Sequence, residues 1–390
     1  MISVAEALDK LFALAPVMDV ETVPIRKAAG RVLAQPVQAR LTQPPFAASA
    51  MDGYAIWGGT IAPGDSFEVI GEAQAGRGFE GSLAKGQAVR IFTGAPVPTG
   101  SELVVIQEDV DRAGDRIIVK DSLDKGDNIR PAGGDFLKGA AFAAPRLLKP
   151  ADVALLAAMN IAEVPVYRRP EIAIISTGDE LVQPGEEPGP DQIIASNAYG
   201  LAALIEAQGG IPRLLPIARD DRASLEMVFD LAKGADLVVT IGGASVGDYD
   251  LVGQVAAERG MDRAFYKVAM RPGKPLMAGR LDGAMMIGLP GNPVSAMVCG
   301  TVFLVPVMRA MLGLGAAPAP RVQLALSEPV ESNGPREHYM RARIAEGRIS
   351  AAKRQDSALL SVLASADALL IRPPHDPARG AGEMVEAILL

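Results

Sequence analysis

The sequence predicts a multidomain protein of the α/β and β classes, with a central parallel α/β domain flanked by smaller units. Three observations predict this fold class. Apolar strand patterns and helix patterns alternate from residue 171 to residue 312, which is typical of a parallel sheet covered by helices. Residues 41–137 instead contain short β runs between Gly/Pro turns. The 390 residues, rich in Gly (41) and Pro (30), suffice for several domains of about 150 residues each.

Each element of the α/β part is predicted from a continuous apolar run or a helical period. The predicted strands are 172–176, 212–217, 237–241 and 285–289, and the predicted helices are 197–208, 222–233, 251–259 and 294–312. Asn292 and Pro293 suit the N-cap and the first position of the last helix. The uncharged run 283–308 is interrupted by Pro and Gly, so we expect a strand, a loop and a buried helix rather than a membrane span.

The parts of the chain that flank the α/β domain differ from it in their strand and helix patterns. A capping box at Ser3 opens an amphipathic helix, and a helix (151–159) and a strand (163–167) return after residue 140. Four β runs lie between these parts, at 67–70, 88–92, 103–107 and 116–119. We therefore expect an α+β linker domain (1–40 and 138–170), an inserted β domain (41–137), the α/β domain (171–316) and a short C-terminal β domain (317–390).

The composition excludes several classes of function. One Cys (Cys299) and two His (His338 and His375) cannot form an internal disulfide, a Cys-based zinc site or a three-His metal site. A net charge of −8 without a long basic cluster argues against nucleic-acid binding. The N-terminal helix carries acids where an export signal would be basic, so we expect a cytoplasmic protein. Cys299 is expected to pack in the core of the last α/β helix.

Acids, glycines and hydroxyls follow all four predicted strands of the α/β domain. Ligands of open α/β sheets bind at this edge, and glycine N–H groups there approach phosphates closely. Acids beside a phosphate indicate a bridging cation. We predict a phosphorylated ligand with Mg²⁺, or another divalent cation, on Glu180, Asp220 and either Asp250 or Asp248. Taken singly, each of these acids is better explained as a helix cap or a turn, whereas the whole set favours a functional site. The loops that follow the strands are 177–180, 220–221, 242–250 and 290–293.

A second group of candidates is cationic. Lys267, Arg271 and Lys274 lie within eight residues, with Pro and Gly between them. Two interpretations stay open for this segment, a fixed loop that presents cations to an oxyanion and a solvated loop. Residues 243–247 match the G-x-S-x-G nucleophile elbow around Ser245, but the base would have to be His338 or His375, both in the C-terminal domain. A loop that contacts phosphate or metal explains the same residues without a base.

Seven motifs, in order over about 250 residues, resemble the molybdopterin molybdenumtransferase family, that is, the MoeA proteins and the gephyrin E domain. The segments are SAMDGYA (49–55), TGAPVP (93–98), RPAGGD (130–135), STGDEL (176–181), GGASVGDYD (242–250), RPGKP (271–275) and GLPGNPVS (288–295). REHYMRAR (336–343) resembles the same family.

The resemblance implies elongated homodimers of four-domain subunits, with an α/β domain like that of molybdopterin adenylyltransferases and a small C-terminal β-barrel. The active site would lie between the α/β domain of one subunit and the β domain of the other. The implied reaction takes adenylylated molybdopterin and molybdate, with Mg²⁺ or another divalent cation, and gives the molybdenum cofactor and AMP. Implied partners are the molybdopterin adenylyltransferase and acceptor molybdoenzymes, with neither nucleic acid nor membrane.

The resemblance also assigns roles to residues by motif. The implied catalytic residues are Asp52, Thr93, Glu180, Asp220, Asp250, Lys267 and Arg271, of which Glu180, Asp220 and Asp250 would hold the metal. Residues implied to bind substrate or cofactor are Arg130, Thr177, Gly178, Gly242, Gly243, Ser245, Gly247, Lys274, Pro290, Gly291, Asn292, Pro293 and Ser357. The loop contains GDYD where relatives have GEADY, which favours Asp250 over Asp248. Arg271 stands where relatives often have Lys, and QDSA (355–358) replaces Q-G-S-G.

Three other functions stay open from the sequence. They are an adenylyltransferase that makes the adenylylated pterin, a non-enzymatic scaffold, and a serine hydrolase that uses Ser245. The added β domains and the MDGYA segment favour insertion. The predicted pocket contains carboxylates, hydroxyls, glycines and cations, and we expect no thiol or imidazole in it.

Overall fold

The computed structural model describes residues 1–243 and 251–390. Helix Val4–Leu14 begins at a capping box, in which the Ser3 hydroxyl accepts from the Glu6 amide (3.1 Å) and Glu6 Oε2 accepts from the Ser3 amide (2.7 Å). Its buried residues pack into the core of the α/β domain. The helix therefore lies against that domain and not, as expected, with the linker strands that follow it.

The linker unit contains a four-stranded antiparallel sheet drawn from two distant parts of the chain. Its strands lie in the order Val20–Pro24, Glu163–Tyr167, Val32–Leu33 and Arg146–Leu147. The 3-10 turn Ile25–Lys27 and helix Pro150–Ala158 accompany the sheet. The predicted helix and strand that follow residue 140 are confirmed. The sheet thus joins strands that precede residue 34 to strands that follow residue 145, so the chain between them leaves the sheet and returns to it.

The inserted β unit contains a six-stranded sheet. Its order is Ser101–Ile106, Gly53–Trp57, Gln87–Ile91, Ser66–Ala73, Arg116–Val119 and Val110–Ala113, and the four predicted β runs are confirmed. Alternate side chains of Gly53–Trp57 enter two cores, Tyr54 and Ile56 on one face and Ala55 on the other. The 3-10 turn Gln107–Asp109 follows, and short ladders join Ala48–Ser49 to Ile129–Arg130 and Val37–Gln38 to Ala141–Phe142.

The α/β domain has a six-stranded sheet covered by helices on both faces. The strand order is Ile211–Leu214, Glu171–Ser176, Leu237–Ile241, Ala284–Leu289, Met277–Leu281 and Asp262–Tyr266. Helix Asn197–Ala207, the last helix and Val4–Leu14 cover one face, and helices Arg222–Leu231 and Leu251–Glu258 cover the other. The four predicted strands and their helices are confirmed. A short parallel pair, Leu181–Val182 with Ile193–Ile194, lies beyond the sheet edge.

The predicted parallel strands are confirmed, and two further strands of this sheet were not predicted. Asp262–Tyr266 and Met277–Leu281 add to one side in antiparallel orientation. The first strand carries charged residues and a register shift between Arg263 and Phe265, which hides its period of two. The predicted strand 212–217 ends earlier, at Leu214, because the chain then leaves the sheet.

The last α/β helix is one continuous segment, Pro293–Met311, with a π-helical turn at Gly300–Leu304 between Pro293–Cys299 and Val305–Met311. Of the helices in the described part of the chain, it has the length and apolar composition of a membrane span. Because 72% of its most apolar window is buried within the protein, it packs as a core helix. The expected strand, loop and buried helix at 283–308 are confirmed.

The C-terminal domain is a closed five-stranded barrel. Its strands run Glu337–Ala345, Arg348–Ala351, Val322–Leu326, Met384–Leu389 and Ala368–Arg372, and the last strand pairs with the first. Helix Leu360–Ala364 precedes the strand Ala368–Arg372. Strand Met270–Arg271 of the α/β domain pairs with the start of Glu337–Ala345. The barrel is thereby joined to the α/β domain through the segment that carries the predicted cations.

Candidate active site

The loops that follow three parallel strands of the α/β sheet converge at the predicted edge. The Thr177 amide donates to the Ile241 carbonyl (3.0 Å), and the Gly242 amide donates to the Leu289 carbonyl (3.1 Å). Gly242 has φ +91°, and a Cβ there would lie 2.8 Å from the Thr177 carbonyl oxygen. A side chain at Gly242 would therefore separate these loops. Thr177, Gly178 and Gly242 form a glycine-lined floor at the carboxyl ends of the strands.

The predicted acids lie on two neighbouring loops of this edge. Thr177 bridges to Ala218, and the Asp220 amide donates to Asp179 Oδ1 (3.3 Å), so the loops after the first two strands are held together. Glu180 and Asp220 are both exposed. Within residues 1–243 and 251–390 no three His, Cys, Asp or Glu side chains form a metal-binding group. The third predicted ligand, Asp250, and its alternative Asp248 lie outside the described residues, so the metal site stays a prediction.

The fourth loop brings the barrel to the same edge. The Asn197 side-chain amide donates to the Gly291 carbonyl (2.7 Å), which fixes the turn that begins at Pro290. The Asn292 side-chain amide donates to Ser357 Oγ (3.2 Å), and the Val294 amide donates to the Ser357 carbonyl (3.0 Å). Ser357 therefore accepts hydrogen bonds at the N-terminus of the helix that begins at Pro293, and it lies beside the turn 290–293.

The backbone of the cationic segment is held by hydrogen bonds. Lys267 has φ +71°, its amide donates to the Leu276 carbonyl (2.9 Å), and its ammonium lies 5.0 Å from the centre of the Tyr266 ring. The Val268 amide donates to the carbonyl of Lys274 (3.0 Å), which closes the loop. Arg271 pairs with the barrel strand, and the side chains of Arg271 and Lys274 are exposed.

Arg341, on barrel strand Glu337–Ala345, is a candidate that sequence reasoning missed. Its side chain is fully buried, and Nη2 donates to the Asp356 carbonyl (2.9 Å). Nε and Nη1 are buried without a hydrogen-bond partner among the described residues. Burial and the charge of nearby Arg271 both lower the pKa of the guanidinium. Unpaired buried donors of a cation are costly, so an anion in contact with them would be strongly held. The sequence signal that could have identified Arg341 is its position in the family motif REHYMRAR (336–343).

Cys299 and His338 are both buried. Cys299 is fully buried, and burial raises the pKa of its thiol, as its expected packing role requires. His338 pairs in register with Arg271, which corrects the expectation that no imidazole lies beside the cations. Burial, together with the charges of Arg271, Arg341, Arg336 and Arg372, lowers the pKa of His338 to about 4, so it is neutral at pH 7. Ser245 lies outside the described residues, as Gly247 does.

The β unit places a second group of candidates together. Thr93 donates to Asp52 Oδ1 twice, from its amide and from its hydroxyl, each at 2.8 Å. These two hydrogen bonds, and the charge of Arg90, lower the pKa of Asp52. The exposed Arg130 lies on the strand that pairs with Ala48–Ser49, three residues before Asp52. Among the described residues no hydrogen bond or ion pair joins this group to the sheet edge.

The structure thus brings the candidates together in two separate groups. The first group is the floor with Glu180, Asp220, the turn 290–293 and Ser357, and the floor residues are Thr177, Gly178, Gly242 and Gly243. Arg341 donates to the carbonyl of Asp356, next to Ser357, and its strand pairs with the cationic segment at Arg271. The second group is Asp52, Thr93 and Arg130. Gly243 belongs to the floor because its φ is +65° and a Cβ there would overlap the Val252 side chain.

Family models match three consecutive parts of the chain. They are the MoeA N-terminal region (domain I and II) over residues 2–160, a probable molybdopterin binding domain over 173–310, and the MoeA C-terminal region (domain IV) over 323–390. The fold and the converging loops therefore define a multidomain protein whose α/β part is of the molybdopterin-binding type. The chain belongs to the MoeA family.

Similar proteins cover nearly the whole chain. The molybdopterin molybdenumtransferase of Nostoc sp. is 38% identical over 355 residues, 87% of this chain and 81% of that protein. The molybdopterin molybdenumtransferase 2 of Mycobacterium tuberculosis is 38% identical over 333 residues, 82% of each chain. The crystal structure of the molybdopterin biosynthesis MoeA protein from Pyrococcus horikoshii OT3 superimposes with a TM-score of 0.86 at 29% identity and covers 100% of both chains.

Proposed function

We propose that this protein inserts molybdenum from molybdate into adenylylated molybdopterin and releases AMP, which yields the molybdenum cofactor. The observation that carries the proposal is the buried, partly unpartnered guanidinium of Arg341, on the barrel strand that pairs with Arg271 of the molybdopterin-binding type of domain. Relatives that cover most of the chain are named molybdopterin molybdenumtransferases, which supports the same reaction.

The adenylylated pterin is expected on the converging loops. The phosphates can approach the floor closely at Gly242, which has no side chain, while the N–H groups of Gly178 and Gly242 donate to the carbonyls of Ala218 and Leu289 and hold the floor in shape. The two described carboxylates, on Glu180 and Asp220, fit Mg²⁺, which typically takes one or two carboxylates plus phosphate oxygens. Mg²⁺ or another divalent cation, held there with Asp250, would neutralise pyrophosphate charge. Ser357 and the turn 290–293 would form the wall against the pterin.

Molybdate is expected on the cations at the other side of the floor. Arg271 and Lys274 are exposed and can donate to its oxygen atoms, and Lys267 adds charge from the same loop. Arg341 contributes from beneath, because its unpartnered N–H groups lie in the protein interior, where electrostatic interactions are stronger. In this arrangement a molybdate or water oxygen attacks the phosphorus of the pterin phosphate. The bond from that phosphorus to the bridging oxygen breaks, and AMP leaves with the bonding electron pair.

The second group of candidates requires a partner in this proposal. Asp52, Thr93 and Arg130 would complete the site from the other subunit of a homodimer, since no described contact joins them to the sheet edge of their own chain. We also propose the four-domain division given above, with helix Val4–Leu14 packed on the α/β domain, and a cytoplasmic location. The molybdopterin adenylyltransferase and acceptor molybdoenzymes are the expected partners before and after the reaction.

The experiment is molybdate-dependent release of AMP from adenylylated molybdopterin by the wild type and by Arg341→Met. Methionine fills a similar volume without charge, so we expect the molybdate concentration for half-maximal rate to rise at least about tenfold, as for loss of about 1.4 kcal/mol of binding. Arg348→Met, at an exposed position on the same barrel, is the matched control and should be unchanged.

Two outcomes would contradict the proposed function. Wild-type protein that releases no AMP with molybdate, but forms pyrophosphate from ATP and molybdopterin, would be an adenylyltransferase. Ester hydrolysis that is abolished in Ser245→Ala would instead identify a serine hydrolase. An unchanged molybdate dependence in folded Arg341→Met would contradict the cation assignment alone.

A further inference from the structure

Arg90 is held by contacts with three neighbouring segments of the β unit. Its strand, Gln87–Ile91, lies beside Gly53–Trp57, where Tyr54 is its cross-strand partner. The guanidinium lies over two aromatic rings, 5.0 Å from the centre of Tyr54 and 4.7 Å from that of Phe92. Nη1 donates to the Gly53 carbonyl (3.0 Å), and Nη2 donates to Gln107 Oε1 (2.6 Å). The planar guanidinium donates two hydrogen bonds and lies over two aromatic rings at once, and a lysine ammonium has no equivalent geometry.

These contacts surround the backbone of Asp52. The Gly53 carbonyl that accepts from Arg90 belongs to the next residue, and the Gln107 amide donates to the Asp52 carbonyl (3.1 Å). Arg90 therefore connects both segments that fix the turn at Asp52. On the other side, Thr93 directs both of its hydrogen bonds to Oδ1. Among the described residues Oδ2 accepts no hydrogen bond, so this oxygen is the one available to a ligand.

We propose that Arg90 is a positioning residue for Asp52, which aims the free carboxylate oxygen of Asp52 at the reacting groups and favours its ionised form. The proposal rests on the proposed function, because it takes Asp52 to be part of the active site. Arg90 acts in two separable ways. Its fork and stacked faces fix the turn, and its charge stabilises the Asp52 carboxylate, whose pKa it helps to lower.

The titrating groups around Asp52 determine how the pH profile responds. Arg90 is the one charged residue among the causes of the lowered Asp52 pKa, and the Thr93 hydrogen bonds are the larger causes. Glu72 pairs across the strand with Arg90, and Glu108 accepts from the Gln107 side chain (3.2 Å), but neither carboxylate is among the causes of the lowered Asp52 pKa. Removing the charge of Arg90 should raise the pKa of Asp52 and move the acid limb of the activity profile to higher pH.

The experiment compares the full-length wild type with Arg90→Lys, Arg90→Gln and Asp52→Asn in the AMP-release assay. We expect kcat to fall about tenfold or more in Arg90→Lys with little change in the half-saturating concentrations, because a misplaced group costs rate rather than binding. Arg90→Gln should lose at least as much rate and should also shift the acid limb upward, whereas Arg90→Lys retains the charge and should shift it less. Arg116→Lys, with one side-chain hydrogen bond to Ser66 in the same unit, is the matched control.

A milder variant addresses the case in which Arg90 substitutions fail to fold. Gln107→Leu removes the acceptor of Nη2 and leaves the Gln107 backbone amide in place. It should lower kcat in the same direction, and combined with Arg90→Lys it should add little, since both changes release one contact.

The outcomes separate this inference from the function on which it depends. Full activity of Asp52→Asn would contradict the proposed site. Inactive Asp52→Asn together with wild-type kcat and pH profile in folded Arg90→Lys and Gln107→Leu would overturn the role of Arg90. If kcat falls only in proportion to the loss of thermal stability, and Arg90→Gln leaves the acid limb of the activity profile unshifted, Arg90 has a structural role only.

Discussion

His338 is a buried titratable residue that should make the stability of the barrel depend on pH. The side chain is 8% exposed, and its Nε2 is buried without a hydrogen-bond partner in the described part of the chain. Its cross-strand neighbours Arg271 and Arg372 are cations, and Arg372 is itself neutralised by Asp376 (2.5 Å). Neither burial nor these neighbours favour a second positive charge, so the folded barrel holds the imidazole neutral.

The first prediction at this scale concerns acid stability. The pKa of His338 is about 4 in the folded barrel and 6.5 for the unperturbed side chain, so the unfolded state takes up a proton first as the pH falls. The contribution of neutral His338 to the free energy of unfolding should therefore be fully present above pH 6.5. It should decline as the pH falls from 6.5 towards 4, by at most about 3 kcal/mol. The lowered carboxyl pKa values of Asp376 and Asp236 cause losses only below about 3.8, outside this window.

The measurement is hydrogen exchange of strand Glu337–Ala345 between pH 7 and pH 4.5, corrected for intrinsic exchange rates. His338→Gln should remove most of the pH dependence of protection in this window. His375→Asn is the control, because His375 is exposed at φ +57°, a conformation that asparagine tolerates. Equal pH dependence in the wild type and His338→Gln would refute the assignment.

At the scale of elements, the strand Gly53–Trp57 determines where Asp52 lies. It runs between Gln87–Ile91 and Ser101–Ile106, and its first residue is a buried glycine. A Cβ at Gly53 would overlap the Val105 carbonyl group and lie 3.0 Å from the Cα of Ile106. These are backbone atoms of a paired strand, which cannot move aside as a flexible side chain can. The close approach of the two strands therefore requires glycine here.

We predict that Gly53→Ala destabilises the β unit by about 3 kcal/mol, the range typical of overpacking against a rigid neighbour. It should also lower AMP release, because the turn at Asp52 must shift with the strand. Trp57, the single Trp of the chain, lies on the same strand, so its fluorescence reports urea unfolding of this unit directly. Gly78→Ala, whose Cβ would lie 3.6 Å from the Pro96 side chain, should unfold at the wild-type urea concentration. A wild-type midpoint for Gly53→Ala would contradict this argument.

The parts of the fold that were predictable are those whose sequence pattern reports their environment. Leu237–Ile241 is buried on both faces of the sheet and is therefore a continuous apolar run, and glycines follow it where loops converge. Asp262–Tyr266 was missed because it is short and polar and contains an irregular register. Arg341 was missed because nothing in its own strand tells which side chains become enclosed. That depends on how the barrel docks on the helix that begins at Pro293, through Ser357.

At the scale of the whole molecule, one chain supplies two groups of candidate residues that share no hydrogen bond or ion pair within residues 1–243 and 251–390. Ser357 of the barrel reaches the turn 290–293 at the sheet edge, and Arg341 donates to the carbonyl of the neighbouring Asp356. The cationic loop pairs with the strand that carries Arg341. Asp52, Thr93 and Arg130 lie in the inserted unit, without a described hydrogen bond or ion pair to that edge. A two-fold dimer that brings the inserted unit of one subunit onto the sheet edge of the other would unite them twice.

The last prediction tests this arrangement by mixing two inactive variants. Asp52→Asn removes the charge of the β-unit group, and Glu180→Gln removes a carboxylate of the sheet edge, so each variant alone should release little AMP. After subunits exchange at random, half of the dimers are mixed, and each mixed dimer contains one site with both groups intact. Activity should therefore recover to about a quarter of the wild-type value. Mixing Asp52→Asn with Thr93→Val is the control and should restore nothing, because both changes affect the same group. If exchange is verified by differently tagged subunits and the first mixture stays inactive, the two groups act within one chain, and the inserted unit must reach its own sheet edge during the reaction.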